Sequence, residues 1–338
     1  MRVKSRLHET SMNVHLPKPN VHDEATAAPA FTVVLSTYNR SNILPFAIET
    51  VRWQTCADWE LLVIGDACTD DSEAVVARIA DKRIRFINLR ERVGDQSGPN
   101  NEGVSQARGR LVAFLNHDDL WFPDHLERML PAFADDAVDM AFAMPLEVEA
   151  GGRFRVNMVY PDGEYDPRGA PPIPSWVVRR SAFDRFGPMR RRDECWSLPT
   201  QDWLFRVWNR VARLAHVAAP TVIVITSATR RDTYRDRHEH EQRHWFDAMR
   251  GEPGLRERAL VEALSHPLPT HLRMLRAGVL WKALGLRVLG RIVLALGGEP
   301  EAVYFYFNYP KRWGFLPRRG ALFPVLYRRR GLPAWKDK

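Results

Sequence analysis

The segment FTVVLSTYNR, residues 31–40, runs from apolar and β-branched residues into small polar ones. A short apolar run of this kind predicts a strand that is buried on both faces. Parallel sheets of α/β proteins are covered on both faces, and their strands are apolar runs of this kind. The segment therefore predicts the first strand of an α/β core.

The segments that follow alternate between helix and strand patterns. ILPFAIETVRWQT (43–55) has apolar residues at helical spacing, and WELLVIGDACTDDS (59–72) is a second buried run. The pattern repeats with SEAVVARIA as helix, IRFINL as strand, NNEGVSQARG as helix and LVAFLN as strand. This alternation indicates βαβ units and a parallel sheet, whose ligands bind beyond the carboxyl ends of the strands. The residues expected at that edge are Thr37 to Asn39, Asp66, and Asn116 to Asp119.

The composition fits a globular protein in a reducing compartment. The chain has 338 residues, 45% of them hydrophobic, enough for one large domain with an appendage. Its three cysteines, an odd number without paired spacing, indicate neither a disulfide framework nor a thiolate zinc site. Residues 1–28 contain no apolar segment and are expected to be a disordered leader, not a secretory signal.

Adjacent aspartates occur three times in the chain. Asp70-Asp71 and Asp135-Asp136 stand before a helix and in a turn, where carboxylates commonly cap or face solvent. Asp118-Asp119 instead follows a buried run directly. Two interpretations of this pair stay open: it caps the helix that Pro123 opens, or it helps to hold Mg²⁺ or Mn²⁺, which prefer oxygen ligands and take some of them from phosphates.

The order of these motifs resembles that of the family 2 glycosyltransferases. The resemblance rests on VVLSTYNR, ELLVIGDACTDDS, NNEGVSQARG, LVAFLNHDDLWFPDHL and VVRRSAFDRFGPM with TQDWLFRVW, over residues 31–215. It implies an α/β protein of the GT-A fold, a Rossmann-like mixed or parallel sheet flanked by helices. The GT-A domain is expected over residues 29–250, and a basic, aromatic-rich helical extension over 251–338. The implied activity is inverting, non-processive, hexosyltransferase-type sugar transfer from a nucleotide-diphosphate sugar to an acceptor hydroxyl.

The resemblance also assigns residues to roles. The expected donor-binding residues are Thr37, Tyr38, Arg40, Asp66, Asn101, Arg108, Asn116 and His117. The family's Asp-x-Asp motif falls on Asn116 to Asp118, so Asp118 and the adjacent Asp119 are the expected ligands of Mn²⁺ or Mg²⁺. Asn116 replaces the first aspartate and is a neutral, poorer metal ligand. Asp202 is implied as the base that takes the acceptor's proton; a helix cap formed by Asp202 or Thr200 is the alternative.

A competing motif, HEQRH, lies at residues 240–244 and matches the His-Glu-x-x-His pattern of zinc proteases. Its neighbours are rich in arginine and histidine, which favours a solvated loop or one that covers the donor diphosphate. The candidates for phosphate contacts in that loop are Arg230, Arg231, Arg235, His238 and His240. A zinc metalloprotease is the distant alternative. A non-catalytic nucleotide-sugar-binding or assembly protein is the stronger alternative, because Asn116 replaces an aspartate of the family motif.

The basic charge is concentrated near the C-terminus, since residues 271–338 hold 14 of the 49 Lys and Arg but 3 of the 41 Asp and Glu. Arg273, Arg276, Arg287 and Arg291 fall on one stripe of a predicted helix that is otherwise mostly apolar. Such a helix either contacts anionic lipid or packs on the domain, with nucleic acid as a weaker third possibility. No stretch approaches the roughly 20 apolar residues of a membrane span. We expect a cytoplasmic protein, peripheral on the inner membrane face, acting on a surface polysaccharide or lipid-linked glycan.

Overall fold

The structure, a computed structural model, describes residues 28–156, 171–210, 212–225, 230–265, 277–299, 302–303 and 319–333. The strands within these ranges are β1 (Phe31–Thr37), β2 (Trp59–Gly65), β3 (Ile84–Asn88), β4 (Leu111–Asn116), β5 (Leu120–Trp121), β6 (Met140–Val148), β7 (Phe154–Val156), β8 (Trp176–Arg179) and β9 (Leu214–Val224). The α-helices are α1 (Leu44–Arg52), α2 (Ser72–Ile79), α3 (Ser97–Ser105), α4 (His125–Met129), α5 (Arg180–Phe186), α6 (Pro199–Asn209), α7 (Thr233–Asp236), α8 (His240–Gly251), α9 (Leu255–Ser265), α10 (Ala277–Ala295) and α11 (Leu322–Arg330).

One mixed sheet organises the described residues. Its strands run in the order β3-β2-β1-β4-β8-β6-β9-β5, with β7 paired to β6. β1 to β4 are parallel, whereas β8 is antiparallel to both β4 and β6. The parallel sheet predicted from the alternating segments is therefore confirmed for β1 to β4, and the remainder of the sheet is mixed.

The central strand β1 is buried on both faces, as its sequence predicts. Val33 and Leu35 belong to a core cluster that includes Leu44 and Ile48 of α1. Val34, between them, belongs to a separate cluster on the opposite face, together with Trp203 of α6. Side chains alternate between faces along a strand, so one apolar run supplies both layers of the core.

The first helix beyond residue 251, α9, packs on the same domain as the sheet. Leu255, Ala259 and Ala263 of α9 share a core cluster with Phe154 of β7 and Trp245 of α8. Residues 240–251 form the helix α8, not the loop that their charged composition predicted. The sequence signal for that loop was wrong because the buried residues of α8 recur at helical spacing among charged ones.

The C-terminal helices differ in their exposure. α11 is a packed helix, since Leu322, Phe323, Leu326 and Tyr327 are buried. α10 and the residue after it leave large apolar side chains exposed, namely Val288, Leu289, Ile292, Leu294 and Leu296. The predicted arginine stripe lies largely outside the described residues, because these do not include Arg273, Arg276 or the side chain of Arg287. Among the helices that the structure describes, none is long and apolar enough to cross a membrane.

Candidate functional site

The polar ends of β1, β2 and β4 meet at one edge of the sheet. Thr37 is paired with Gly65, and Ser36 with Asn116, so the residues after these strands are neighbours. The backbone N–H of Asp66 donates to the carbonyl of Thr37 at 2.9 Å. The structure thereby confirms that the carboxyl edge gathers the residues that the strand pattern predicted there.

The two adjacent aspartates after β4 have different surroundings. Asp119 accepts hydrogen bonds from the backbone N–H of Ile225 and from the Asn116 amide, both at 2.8 Å. Burial raises the pKa of Asp119 well above its usual range, and the neighbouring charge of Asp118 adds to that effect. Asp118 is buried but forms no hydrogen bond or ion pair with any residue that the structure describes. Asp119 thus links the segment after β4 to the end of β9. The Asp118 carboxylate has no hydrogen-bond partner among the described residues.

The cap interpretation of this pair is wrong. The helix after Pro123 is α4, which begins at His125 with Asp124 at its N-cap position. No side-chain hydrogen bond caps α4. Both aspartates therefore lie at the carboxyl edge of the sheet and do not cap α4.

The donor atoms at this edge fit a divalent cation that takes most of its ligands from elsewhere. Asn116 is already committed, since its Oδ1 accepts a 2.7 Å hydrogen bond from Gln96. No group of three or more His, Cys, Asp or Glu side chains within the described ranges is arranged to hold a metal. Mg²⁺ commonly binds through one or two carboxylates, with phosphates and water completing its shell. Asp118 alone satisfies that minimal requirement.

Asp66 orients the loop that follows β3. Its Oδ1 accepts from the backbone N–H of Val93 at 2.7 Å and its Oδ2 from that of Gly94 at 2.8 Å. Burial raises the pKa of Asp66, and these two hydrogen bonds oppose the rise. The guanidinium of Arg92, in the same loop, lies 3.8 Å from the ring centre of Tyr38. Tyr38 and this loop form one wall of the edge.

A second wall comes from α7, a short helix within the segment that the sequence predicted as a loop covering the diphosphate. Arg40 donates to the carbonyls of Thr233 and His238. The ring of His117 lies 3.2 Å from the Ser36 carbonyl through Nδ1 and 3.4 Å from the Tyr234 hydroxyl through Nε2. Burial lowers the pKa of His117, which keeps the ring neutral at pH 7. Tyr234 was missed because it is a lone aromatic among charged residues, with no periodic signal.

Several expected donor-binding residues have other partners. Asn101 exchanges two hydrogen bonds with the backbone of Met189, at 2.8 and 2.9 Å. Arg108 pairs with Glu60 at 2.8 Å, near the amino ends of the strands and therefore at the edge opposite Asp118. The structure does not bring Arg108 to the site.

The possible diphosphate residues are also dispersed. Arg230 binds the carboxylate of Glu241, with one contact at 2.7 Å. Arg231, Arg235, His238 and His240 are exposed. Of this group, His238 contributes its backbone carbonyl to Arg40 at 3.4 Å.

The His-Glu-x-x-His motif lies on the outer surface of α8. His240 and His244 are exposed, and Glu241 is held by Arg230. The opposite side of the helix buries Trp245 and Phe246 in the core. The motif is thus a charged helix face, and its glutamate is not free to act as a base.

Asp202 lies in the first turns of α6 and does not cap it. The N-cap position is Leu198, and no side-chain hydrogen bond caps the helix, which excludes Thr200 as well. Asp202 is 1% exposed, and its Oδ2 accepts from Arg206 Nε at 2.9 Å. Its buried Oδ1 accepts no hydrogen bond from the described residues, and Arg190 Nη1 lies 3.6 Å away. One carboxylate oxygen therefore has unused hydrogen-bonding capacity.

Sequence comparison finds a likeness to glycosyltransferases over part of the chain. A family model described as Glycosyl transferase family 2 matches residues 32–170. The succinoglycan biosynthesis protein ExoO of Rhizobium meliloti (strain 1021) is 38% identical over 102 residues, which cover 30% of this chain and 29% of ExoO. The Escherichia coli protein WfgD, a UDP-Glc:alpha-D-GlcNAc-diphosphoundecaprenol beta-1,3-glucosyltransferase, is 32% identical over 99 residues, covering 29% of this chain and 39% of WfgD. The similarity thus spans well under half of either relative.

Comparison of whole structures extends the likeness to most of the chain. The crystal structure of S. aureus TarS 1-349 in complex with UDP-GlcNAc has a TM-score of 0.51 at 15% identity. The matched region covers 85% of this chain and 93% of that chain. At this identity the comparison shows the fold alone, and that fold is the GT-A fold that the motif order implied.

Proposed function

Because residues 32–170 match the model of glycosyl transferase family 2, we propose that this protein is an inverting, non-processive glycosyltransferase that uses a nucleotide-diphosphate sugar. The observation that carries the proposal is that the Asp118 carboxylate has no hydrogen-bond partner among the described residues, whereas both oxygens of the adjacent Asp119 accept hydrogen bonds. A buried charge without a partner is costly. Its retention at the carboxyl edge of a sheet is consistent with a ligand site.

The donor nucleotide is proposed to lie between the two walls of this edge. Tyr38 and the loop held by Asp66 line one side, and Arg40, His117 and Tyr234 line the other. Neutral His117 and the Tyr234 hydroxyl supply polar contacts, and Arg40 supplies a positive charge for phosphate oxygens. TarS, which shares the fold, was crystallised in complex with UDP-GlcNAc, and a UDP-sugar is therefore the first donor to test.

Asp118 is the residue proposed to hold Mn²⁺ or Mg²⁺, with donor phosphates supplying further ligands. When bound, the cation offsets negative charge on the departing diphosphate. Asn116 and Asp119 act indirectly, because their mutual hydrogen bond fixes the chain on either side of Asp118. These two residues thereby orient the Asp118 carboxylate.

Asp202 is the proposed base. Its Oδ1 would take the proton of the acceptor hydroxyl as that oxygen attacks the anomeric carbon and the bond from that carbon to the diphosphate breaks. Attack opposite the leaving group inverts the anomeric configuration. Arg206, 2.9 Å from Oδ2, and Arg190, 3.6 Å from Oδ1, orient the carboxylate, and a fixed geometry favours proton transfer.

The proposed acceptor is a surface polysaccharide or lipid-linked glycan, and α10 is the proposed membrane contact. Val288, Ile292 and Leu296 are 52, 50 and 82% exposed and recur every four residues along one side. A helix with an exposed apolar face and basic neighbours suits an anionic lipid surface. Flotation with phosphatidylglycerol vesicles at low salt tests this, and full-length protein that stays in the soluble fraction would refute it.

A non-catalytic, nucleotide-sugar-binding protein is the second candidate function. Its support is that Asn116 replaces an aspartate of the family motif and that Asp202 is 1% exposed between two arginines. Such a protein would bind nucleotide but release none from a donor.

The deciding experiment offers UDP-, GDP- and dTDP-sugars with Mn²⁺ or Mg²⁺ to the purified full chain and measures nucleoside diphosphate release. Asp118→Asn is the matched control, because it keeps the side-chain shape and removes the charge. Release that depends on metal and on Asp118 supports the enzyme. Calorimetric binding without release, also in the presence of candidate acceptors, supports the binding protein. Neither binding nor release of any of these nucleotides would overturn both candidates.

A further inference from the structure

The helix α11 lies against the proposed donor site, although about 290 residues separate it from β1 in sequence. The Tyr327 hydroxyl donates to the carbonyl of Gly94, whose own N–H donates to Asp66. Arg192 Nη1 donates to the Val93 carbonyl at 2.7 Å, and its guanidinium lies 6.0 Å from the Tyr327 ring centre. α11 is therefore fastened to the loop that Asp66 orients.

The C-terminal end of α11 is fastened to the other wall. The carbonyl of Arg329 accepts from the N–H of Asp232 at 2.8 Å, just before α7. The chain then turns at Gly331, which has a φ of +70°. A Cβ at Gly331 would lie 3.1 Å from both Arg235 Cβ and Asp232 Cα. The glycine therefore permits both the left-handed turn and the close contact.

Arg330, the last residue of α11, stands between Arg329, whose carbonyl accepts from Asp232, and Gly331, which lies close to Asp232 and Arg235. Its Nε is buried and donates no hydrogen bond to any described residue. Neither an ion pair nor another side-chain hydrogen bond joins Arg330 to the part of the chain that the structure describes. The neighbouring α7 carries Tyr234, whose ring centre lies 5.3 Å from the Arg40 guanidinium and whose hydroxyl lies 3.4 Å from His117 Nε2.

Two arginines of this region, Arg40 and Arg330, keep unused hydrogen-bond donors. Arg40 likewise has a buried Nε without a hydrogen bond. Positively charged groups with unused N–H donors beside a polar pocket fit an anionic ligand with several acceptor oxygens, such as a diphosphate.

We infer that Arg330 binds the diphosphate of the donor and that α11 is the part of the C-terminal region that closes the donor pocket. The inference rests on the proposed function, which it deepens by assigning a binding residue that no sequence motif marks. A purely structural role is the competing explanation, because a cation at a helix C-terminus is favourable for the helix dipole. Arg328 shares that helix end but is exposed, so it is the matched control.

The test uses calorimetry on the full chain with UDP, GDP and dTDP, and with the matching nucleosides, in the presence of Mg²⁺. Arg330→Gln is expected to weaken the binding of the preferred nucleoside diphosphate by about tenfold to a hundredfold, the usual range for a charge-assisted hydrogen bond. The nucleoside without phosphate should bind both proteins equally. Arg328→Gln should change diphosphate binding by less than about twofold, as expected for an exposed charge.

Each other outcome has a distinct meaning. If wild-type protein binds a nucleoside diphosphate and Arg330→Gln binds it equally well, or if Arg328→Gln loses as much affinity, the inference is overturned and the proposed function stands. If wild-type protein binds none of the three nucleotides, the proposed function fails and Arg330 loses its ligand with it. Thermal unfolding checks that each variant is folded. Should Arg330→Gln not fold, Arg330→Lys keeps the charge but loses the forked donors, and a smaller, diphosphate-specific loss is then expected.

Discussion

Replacing Asp202 by Asn separates catalysis from binding. The substitution keeps the size of the side chain and an oxygen that can accept from Arg206, but it removes the basic carboxylate. General-base catalysis typically contributes a factor of about 10² to 10⁴ in rate. We therefore expect turnover to an acceptor to fall by about that factor, while the dissociation constant of the donor nucleotide stays within about twofold, because Asp202 lies outside the proposed nucleotide walls.

The stability cost of the same substitution follows from its contacts. Breaking one side of a buried ion pair costs about 3–5 kcal/mol when the remaining charge is left alone. Here Arg206 keeps hydrogen bonds to the carbonyls of Phe186 and Pro188, at 3.2 and 2.8 Å. We expect a smaller loss, about 1–2 kcal/mol in urea unfolding. The variant should therefore be folded under assay conditions.

The assay needs an acceptor, since donor hydrolysis by water can proceed without this base. Arg206→Gln is the informative comparison, because it removes the 2.9 Å contact and leaves the Asp202 carboxylate in place. We expect Arg206→Gln to retain more than about a tenth of the wild-type transfer rate. Loss of the base in Asp202→Asn should lower that rate by more than about tenfold. Equal losses in the two variants would refute the assignment, because they would mean that Asp202 matters only as the partner of Arg206.

Asp118→Ala is expected to abolish the Mn²⁺-dependent part of nucleotide binding in calorimetry with little change in Tm. Asp119→Ala should instead lower the free energy of unfolding by about 2 kcal/mol, because its hydrogen bonds are lost. The same metal dependence of nucleotide binding in both variants would contradict this prediction. Burial lowers the pKa of His125 to about 3, below the value of about 6.5 in the unfolded chain. The neutral His125 ring therefore contributes fully to the free energy of unfolding above the unfolded-chain pKa of about 6.5. This contribution is lost as the pH falls toward 3, and the loss reaches about 2 kcal/mol at pH 5. Urea titrations across this range check it, and a His125→Gln variant with the same pH dependence would count against it. A Cβ at Gly109 would lie 2.4 Å from the backbone nitrogen of Thr32, so Gly109→Ala should cost about 1–3 kcal/mol in thermal unfolding; an unchanged Tm would show that the backbone can move apart.

The sequence alone identified the parallel half of the sheet and the polar edge at the carboxyl ends of its strands. The runs at 31–37, 59–65 and 111–116 became β1, β2 and β4, and their polar ends met as expected. These features are local, because an apolar β-branched run specifies a buried strand and strand direction specifies the edge. The same local pattern located Asp66 and Asp118 without knowledge of their partners.

Other residues within the same motifs were not distinguished in this way. Asp118 and Asp119 are adjacent and chemically identical, yet Asp119 is committed to Ile225, which lies 106 residues further along the chain. Arg108 belongs to the motif NNEGVSQARG but stands before β4 and so reaches Glu60 at the far edge. Short motifs give the order of residues, and the path of the backbone decides which way each side chain points.

The tertiary structure alone decided what covers the site. Tyr234, Tyr327 and Arg330 come from short helices in arginine-rich segments whose local composition predicted a loop or a membrane contact. Tyr327 reaches the edge through the Gly94 carbonyl, and Tyr234 reaches it through the His117 ring. Such contacts depend on where distant segments meet and leave no periodicity in the sequence. The chain therefore encodes its strands locally, whereas the walls of the proposed donor pocket exist only once residues far apart in sequence have packed together.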